Sequence, residues 1–294
     1  MTFITMHDKT ELYVKDWGTG RPVIMTHGWP LSADSWDDVG MAIADAGFRA
    51  IAYDRRGFGR SGQPWDGYDY NTLADDLRDV IKATGAKDAT LIGFSMGGGE
   101  VARYLSRHQG KHVAQVALVS SVVPFMLKTS DHPSGTDAAV FAQMAHSIQQ
   151  DRAHFFAGFF RDFFGADVPT NKVSQELLDW ARMVSMQASL KATLACAHSF
   201  STTDFRGDLA AFTMPTLIIH GTADKTVPIA ASAREAKQGI PHAKLLEYEG
   251  APHGLFATHR QRLIEDVLEF LRAIPAGAGP RHAPAELSRT SLMP

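Results

Sequence analysis

Gly93-Phe94-Ser95-Met96-Gly97 sets a serine between two glycines. The apolar run Ala89-Thr90-Leu91-Ile92 before it reads as a strand, and Gly98 to Leu105 after it reads as a helix. A sharp strand-to-helix turn forces the serine into a strained backbone conformation, and bulky residues two positions to either side would collide there, which glycine avoids. The helix directs its positive end at the hydroxyl, where a developing oxyanion is favoured. The competing reading is a glycine-rich helix start with no chemistry; the flanking strand and helix weigh against it. A serine hydroxyl is a poor nucleophile at neutral pH, so it needs a base, and the base needs an orienting acid.

Both partners are expected just past strand ends, in the order serine, acid, histidine. Asp224 closes Gly221-Thr222-Ala223-Asp224, the loop after the strand-like Thr216-Leu217-Ile218-Ile219. His253 lies in Gly250-Ala251-Pro252-His253-Gly254, between Leu245-Leu246-Glu247-Tyr248 and the final helical pattern. The chain has 13 histidines, and only position singles out this one. Asp204 and Asp208 are rival acids, but they sit in a helical stretch and suit helix caps better. An oxyanion needs two main-chain N–H groups: one from Met96, after the nucleophile, the other from Trp29 in the loop His27-Gly28-Trp29-Pro30. The Trp29 side chain either lines an acyl pocket or simply packs. The base must be neutral to accept a proton, so activity is expected to fall on the acid side as the His253 ring is protonated.

The elements that would carry these groups alternate. Val23 to Thr26, Ala50 to Tyr53, Ala89 to Ile92, Val116 to Val119 and Thr216 to Ile219 are nearly continuous in apolar residues, as in strands covered on both faces. Amphipathic helices lie between them. In one, Leu73, Leu77, Val80 and Ile81 share a stripe, with Asp75, Asp76, Arg78 and Asp79 facing away. This alternation predicts a mostly parallel α/β sheet flanked by helices, with an antiparallel hairpin (Thr2 to Met6, Leu12 to Trp17) at its start. Residues 1–123 and 213–274 are expected to form the core and 124–212 a helical cap insertion. In the insertion Phe155, Phe156, Phe159, Phe160, Phe163 and Phe164 recur as a stripe that packs, roofs an apolar pocket, or both. Residues 275–294 read as a flexible C-terminal tail.

Of the 294 residues, 45% are apolar and 21% charged, which is globular composition. A formal charge of −3 disfavours a polyanion-binding surface. The longest apolar stretch, Val113 to Leu127, is too short and too polar to cross a bilayer. The N-terminus lacks the basic segment and apolar run of a secretory signal, so the chain reads as cytoplasmic. A single cysteine, Cys196, rules out an intrachain disulfide and a cysteine-cluster metal site; it reads as a buried helix position. No histidine or carboxylate group of metal-ligand spacing stands out.

His27-Gly28-Trp29-Pro30, Tyr53-Asp54-Arg55-Arg56-Gly57-Phe58-Gly59-Arg60-Ser61, Gly93 to Glu100 and the His220 to Asp224 loop together resemble the α/β-hydrolase superfamily. More narrowly, the chain is similar to the bacterial cofactor-free haloperoxidases, or perhydrolases, and their aryl-esterase relatives, over about Thr2 to Ile274. The resemblance implies the α/β-hydrolase fold, a triad of Ser95, Asp224 and His253, oxyanion donors at Trp29 and Met96, and no cofactor, haem or metal. It also implies an acyl pocket near Val123, Met126, Phe159, Phe200, Thr226 and Ile229, where Thr226 is polar in place of the aliphatic residue frequent among relatives.

The expected partners are a small-molecule ester, or a carboxylic acid plus hydrogen peroxide, with no nucleic acid and no membrane; a homo-oligomer is left open. An acyl-Ser95 intermediate attacked by water gives ester hydrolysis, and attacked by peroxide gives a peracid. Pro30 either merely ends the strand or restricts Trp29 so that its carbonyl accepts a peroxide hydrogen. On the second reading, Pro30→Leu lowers the ratio of peracid formation to hydrolysis. Arg55 and Arg56 either steer anionic acids or bind neighbouring loops. Lactam or amide cleavage within the same family and a non-catalytic receptor on the same scaffold are the alternatives. A dehalogenase or epoxide hydrolase would need a carboxylate at position 95.

Overall fold

The computed structural model describes residues 2–168 and 171–273; Ile274 and the tail expected at 275–294 lie outside the described residues. Among these, eight strands make one sheet. The hairpin of β1 (Thr2–Thr5) and β2 (Glu11–Gly18) is antiparallel. β3 (Pro22–Thr26), β4 (Arg49–Tyr53), β5 (Ala89–Phe94), β6 (Val113–Val119), β7 (Thr216–Gly221) and β8 (Lys244–Tyr248) are mutually parallel, in the order β1-β2-β4-β3-β5-β6-β7-β8. β3, β5, β6 and β7 are buried along their whole length, which is why their sequences are apolar without alternation. The order reverses at β3, with β4 on one side and β5 on the other. A crevice therefore opens beyond their carboxyl ends, where the loops after β3 and β5 diverge.

The flanking helices include α1 (Asp37–Asp45), α2 (Tyr70–Ala83) and α3 (Met96–Arg107). Asp69 starts α2 by accepting the main-chain N–H groups of Asn71 and Thr72, and Leu73, Leu77, Val80 and Ile81 are buried as their spacing predicts. The same pattern fails for Asp76, expected to face away. It is 1% exposed and forms a two-pronged ion pair with Arg56, Nε and Nη2 each donating over 2.6 Å. A buried carboxylate is tolerated where a guanidinium supplies both donors, and the helical stripe alone does not reveal the partner. Asp75 is also nearly buried, against Arg107 and His108.

Between β6 and β7 the chain passes through α4 (Ala138–Phe164), α5 (Gln175–Met186) and α6 (Leu190–Thr202). α4 is two helices joined at Asp151, whose φ of −154° and ψ of 91° break the helix. The Asp151 carboxylate then accepts the N–H of His154 and caps the second part. That second part carries the phenylalanine stripe. Phe156, Phe160, Phe163 and Phe164 are fully buried, so most of the stripe packs. The remaining helices are α7 (Ala233–Gly239), α8 (Leu255–Thr258) and α9 (Arg260–Arg272); Leu263, Val267 and Leu271 of α9 face the core. No helix among the described residues is long and apolar enough to cross a membrane.

Candidate active site

Ser95 sits between β5 and α3 with φ 54° and ψ −121°, a left-handed conformation that a non-glycine residue adopts only when its surroundings hold it. Its N–H donates to Val119 and its carbonyl accepts from Val122 and Gly98. The flanking glycines are sterically required. A Cβ at Gly93 would lie 2.6 Å from the Gly98 Cα, and one at Gly97 would lie 2.5 Å from the Thr26 carbonyl oxygen.

Ser95 Oγ lies 3.0 Å from Nε2 of His253, and Nδ1 of that ring lies 2.6 Å from Oδ2 of Asp224. The three residues come from the ends of β5, β7 and β8, as the chain order requires. Two loops are laced together to hold this geometry: Thr222 donates to Tyr248 and Ala223 to Ala251, while Ser120 Oγ donates to the His253 carbonyl. The His253 ring is fully buried between Phe94 and Phe163, with centroids 5.1 and 4.7 Å away.

Asp224 is satisfied on both oxygens. Oδ1 accepts the N–H groups of Thr226 and Val227 at 2.9 and 2.8 Å, and Oδ2 faces His253. Burial alone would raise its pKa. The charge of the His253 ring and the contacts from His220 and His253 outweigh that and hold the carboxyl well below the usual range. Asp204 and Asp208 are engaged elsewhere. Asp204 pairs with Arg206, and Asp208, rather than capping a helix, pairs with Arg103 of α3 and accepts from Ser106.

The N–H of Met96 opens α3 and has no partner within its own helix. Among the described residues, the main-chain N–H of Trp29 also makes no hydrogen bond to protein. The Trp29 loop is fixed by a buried polar cluster in which Arg55 binds a neighbouring loop, the second of the two roles the sequence offers for it. Burial and the Arg55 charge push the His27 imidazole well below its usual pKa, so it stays neutral. Its Nε2 accepts the Arg55 N–H at 3.0 Å, and Nδ1–H donates to the Gly28 carbonyl at 2.9 Å. Arg55 also donates to the His27 carbonyl and to Glu100 of α3, which accepts from the Tyr53 hydroxyl too. Arg55 and Arg56 are each 1% exposed, and their charges are spent on these partners and on Asp76 and Asp8.

A cavity of about 350 Å³ opens above Ser95. Trp29, Met126, Phe159, Phe200 and Thr226 line it, together with Val122, Phe155 and Val227. Trp29 meets Phe156, Phe159 and Phe200 edge to face and is pinned by Nε1–H donating to the Thr193 carbonyl at 3.0 Å. The structure places three expected pocket residues off this wall. Val123 is fully buried off the wall, and its neighbour Val122 lines the cavity in its place. Ile229 yields to Val227, which is drawn toward the acid by its own N–H bond to Asp224. Pro30 is buried behind Trp29. The first half of α4, from Val140 to Ser147, also lines the cavity, and no aromatic stripe advertises it. At the mouth Lys225 and Asp162, both mostly exposed, form an ion pair at 3.2 Å. Cys196 is buried in α6, and burial pushes its thiol up to about 12, so it is no nucleophile. Among the described residues, no group of three or more histidine, cysteine, aspartate or glutamate side chains is placed to hold a metal ion.

A family model described as the alpha/beta hydrolase fold matches residues 21–260. A non-heme chloroperoxidase from Kitasatospora aureofaciens is 41% identical over 92% of this chain and 99% of its own length. A bifunctional esterase/perhydrolase from Acinetobacter calcoaceticus is 38% identical over 93% of this chain and all of its own. Among solved structures, a bromoperoxidase from Bacillus anthracis superposes with a TM-score of 0.89 at 42% identity, covering 92% of this chain and 99% of that one.

Proposed function

This chain belongs to the α/β-hydrolase family, in its branch of non-heme haloperoxidases and perhydrolases, and from that membership we propose a serine hydrolase that cleaves small carboxylic esters and also makes peracids from a carboxylic acid and hydrogen peroxide. The observation that carries this reading is the continuous contact from Ser95 Oγ through His253 to Asp224 at the base of an apolar cavity.

In the proposed reaction, His253 Nε2 takes the Ser95 proton as Oγ attacks the acyl carbon. The charge gathering on the carbonyl oxygen is met by the N–H groups of Met96 and Trp29. His253 then returns the proton to the departing alkoxide of an ester, or to the departing hydroxide of a carboxylic acid, which leaves as water, and an acyl-serine remains. A second nucleophile loses a proton to the same nitrogen and attacks the acyl carbon; breaking the bond to Oγ restores Ser95. Water in this role yields the acid, and hydrogen peroxide yields the peracid, which oxidises halide afterwards in solution. Asp224 remains an anion throughout, holding the ring in the tautomer with Nε2 free and stabilising the imidazolium. The walls formed by Trp29, Met126, Phe159 and Phe200 favour a short apolar acyl group, with Thr226 as a polar spot on that wall.

Fluorophosphonate labelling and p-nitrophenyl acetate turnover test the assignment. The intact chain is expected to be labelled on Ser95 and to turn over the ester, while Ser95→Ala does neither. Retained turnover in Ser95→Ala refutes the reading. Incubation with acetate and hydrogen peroxide, read as peracid, tests the second half separately.

A further inference from the structure

His220 is the penultimate residue of β7, four residues before Asp224, and is fully buried, yet the reaction described above gives it no part. Its Nε2 is 2.8 Å from the Val227 carbonyl oxygen and 3.2 Å from Asp224 Oδ2, the oxygen that also faces His253. Its Nδ1 has no hydrogen-bond partner among the described residues. These contacts decide the tautomer. A proton on Nδ1 would be buried with nothing to accept it, while one on Nε2 has an acceptor in line and an anion beside it. His220 is therefore the Nε2–H form, the reverse of His253, which presents Nδ1–H to the same carboxylate.

The bond to Val227 closes a small ring. The Val227 N–H donates to Asp224 Oδ1, and its carbonyl receives the His220 proton. His220 thus holds the turn that carries the acid from one side, while its N–H edge faces the acid's outer oxygen. Resting on the serine-hydrolase reading, we propose that His220 is a positioning residue that fixes the direction in which the Asp224 carboxylate faces His253.

A double-mutant cycle in the full chain tests this, with kcat and KM for p-nitrophenyl acetate and thermal unfolding measured in parallel. His220→Leu removes the donor, and His220→Gln keeps an amide N–H near the place of Nε2. His220→Leu is expected to lower kcat by about threefold to tenfold, the scale of one buried hydrogen bond, with KM nearly unchanged. His220→Gln recovers most of that loss. In an Asp224→Asn background His220→Leu costs little more, because the group it acts through is already gone. A residue that merely packs loses the same factor in both backgrounds, and that result overturns the proposal, as does an unchanged kcat in folded His220→Leu. Should His220→Leu fail to fold, His220→Phe, which keeps the ring without a donor, takes its place in the cycle: a kcat loss that vanishes in the Asp224→Asn background supports the role, and an unchanged kcat overturns it. Ser95→Ala separates the two levels. If it keeps turnover, the hydrolase reading fails; if it is inactive while the His220 variants are unaffected, only the positioning role fails.

Discussion

The loops at the ends of β5, β7 and β8 and the helical insertion after β6 meet across one cavity, and they are built from opposite materials. In the loops nearly every polar atom has a named partner: both Asp224 oxygens, both His253 nitrogens, and the main chain of Ser95. The insertion meets the core chiefly through rings set edge to face on Trp29, with one hydrogen bond, from Trp29 Nε1–H to the Thr193 carbonyl, among them. Atoms that must transfer a proton tolerate errors of a fraction of an ångström, whereas an apolar wall needs only volume and shape. The contrast assigns rate to the loops and substrate choice to the insertion.

The largest effect expected from breaking the loop side is that of Ser95→Ala, a loss of about 10⁴-fold or more in kcat for ester hydrolysis with binding preserved. Asp224→Asn is expected to cost on the order of 10³–10⁴-fold, since the amide no longer selects the correct ring tautomer; steady-state assays on correctly folded protein check both.

Asp224→Asn also has a signature in stability. The folded state holds this carboxyl well below its ordinary pKa, so the unfolded chain binds the proton more readily. The resulting stabilisation is complete above the ordinary carboxylate value of about 3.9 and is lost as pH falls below it. Thermal midpoints measured from about pH 5 down to about pH 3 should decline less steeply in Asp224→Asn than in the parent.

On the insertion side, Phe200→Ala should leave kcat for acetate esters within about threefold while lowering stability by about 3 kcal/mol and shifting preference toward longer acyl chains, as a series of p-nitrophenyl esters would report. An equal collapse of kcat there would erase the distinction between the two regions. The smallest effect is expected at the mouth. Because Lys225 and Asp162 are mostly exposed, Lys225→Ala should change stability by less than about 1 kcal/mol, as thermal melts would show.

The sequence announced the loops better than the walls, for a physical reason. A strained serine needs glycines at fixed offsets, and an acid or base past a strand end follows an apolar run; both leave local marks, so Ser95, Asp224 and His253 could be picked out and do meet. The pocket is defined by which of two adjacent side chains turns inward. That depends on packing with residues distant in the chain, as at Val122 and Val123, or on a neighbour's hydrogen bond, as at Val227. The first half of α4 was invisible because its cavity-facing residues are mixed in character. Asp76, Glu100 and His27 were missed for a related reason: a buried charge looks like a surface one until its partner, Arg56 or Arg55, is seen beside it.

The insertion departs after β6 and returns in β7, two strands paired side by side from Val116↔Thr216 to Val119↔Ile219. Because the two strands are parallel, the chain leaves at the carboxyl end of β6 and must travel back to the opposite edge of the sheet before β7 begins. The helical segment is therefore also the crossover of this strand pair, and added length in such a connection raises the closure cost only slowly. An exchange of 124–212 between relatives must preserve that span, and is then expected to alter acyl selectivity while Ser95, Asp224 and His253 stay in place.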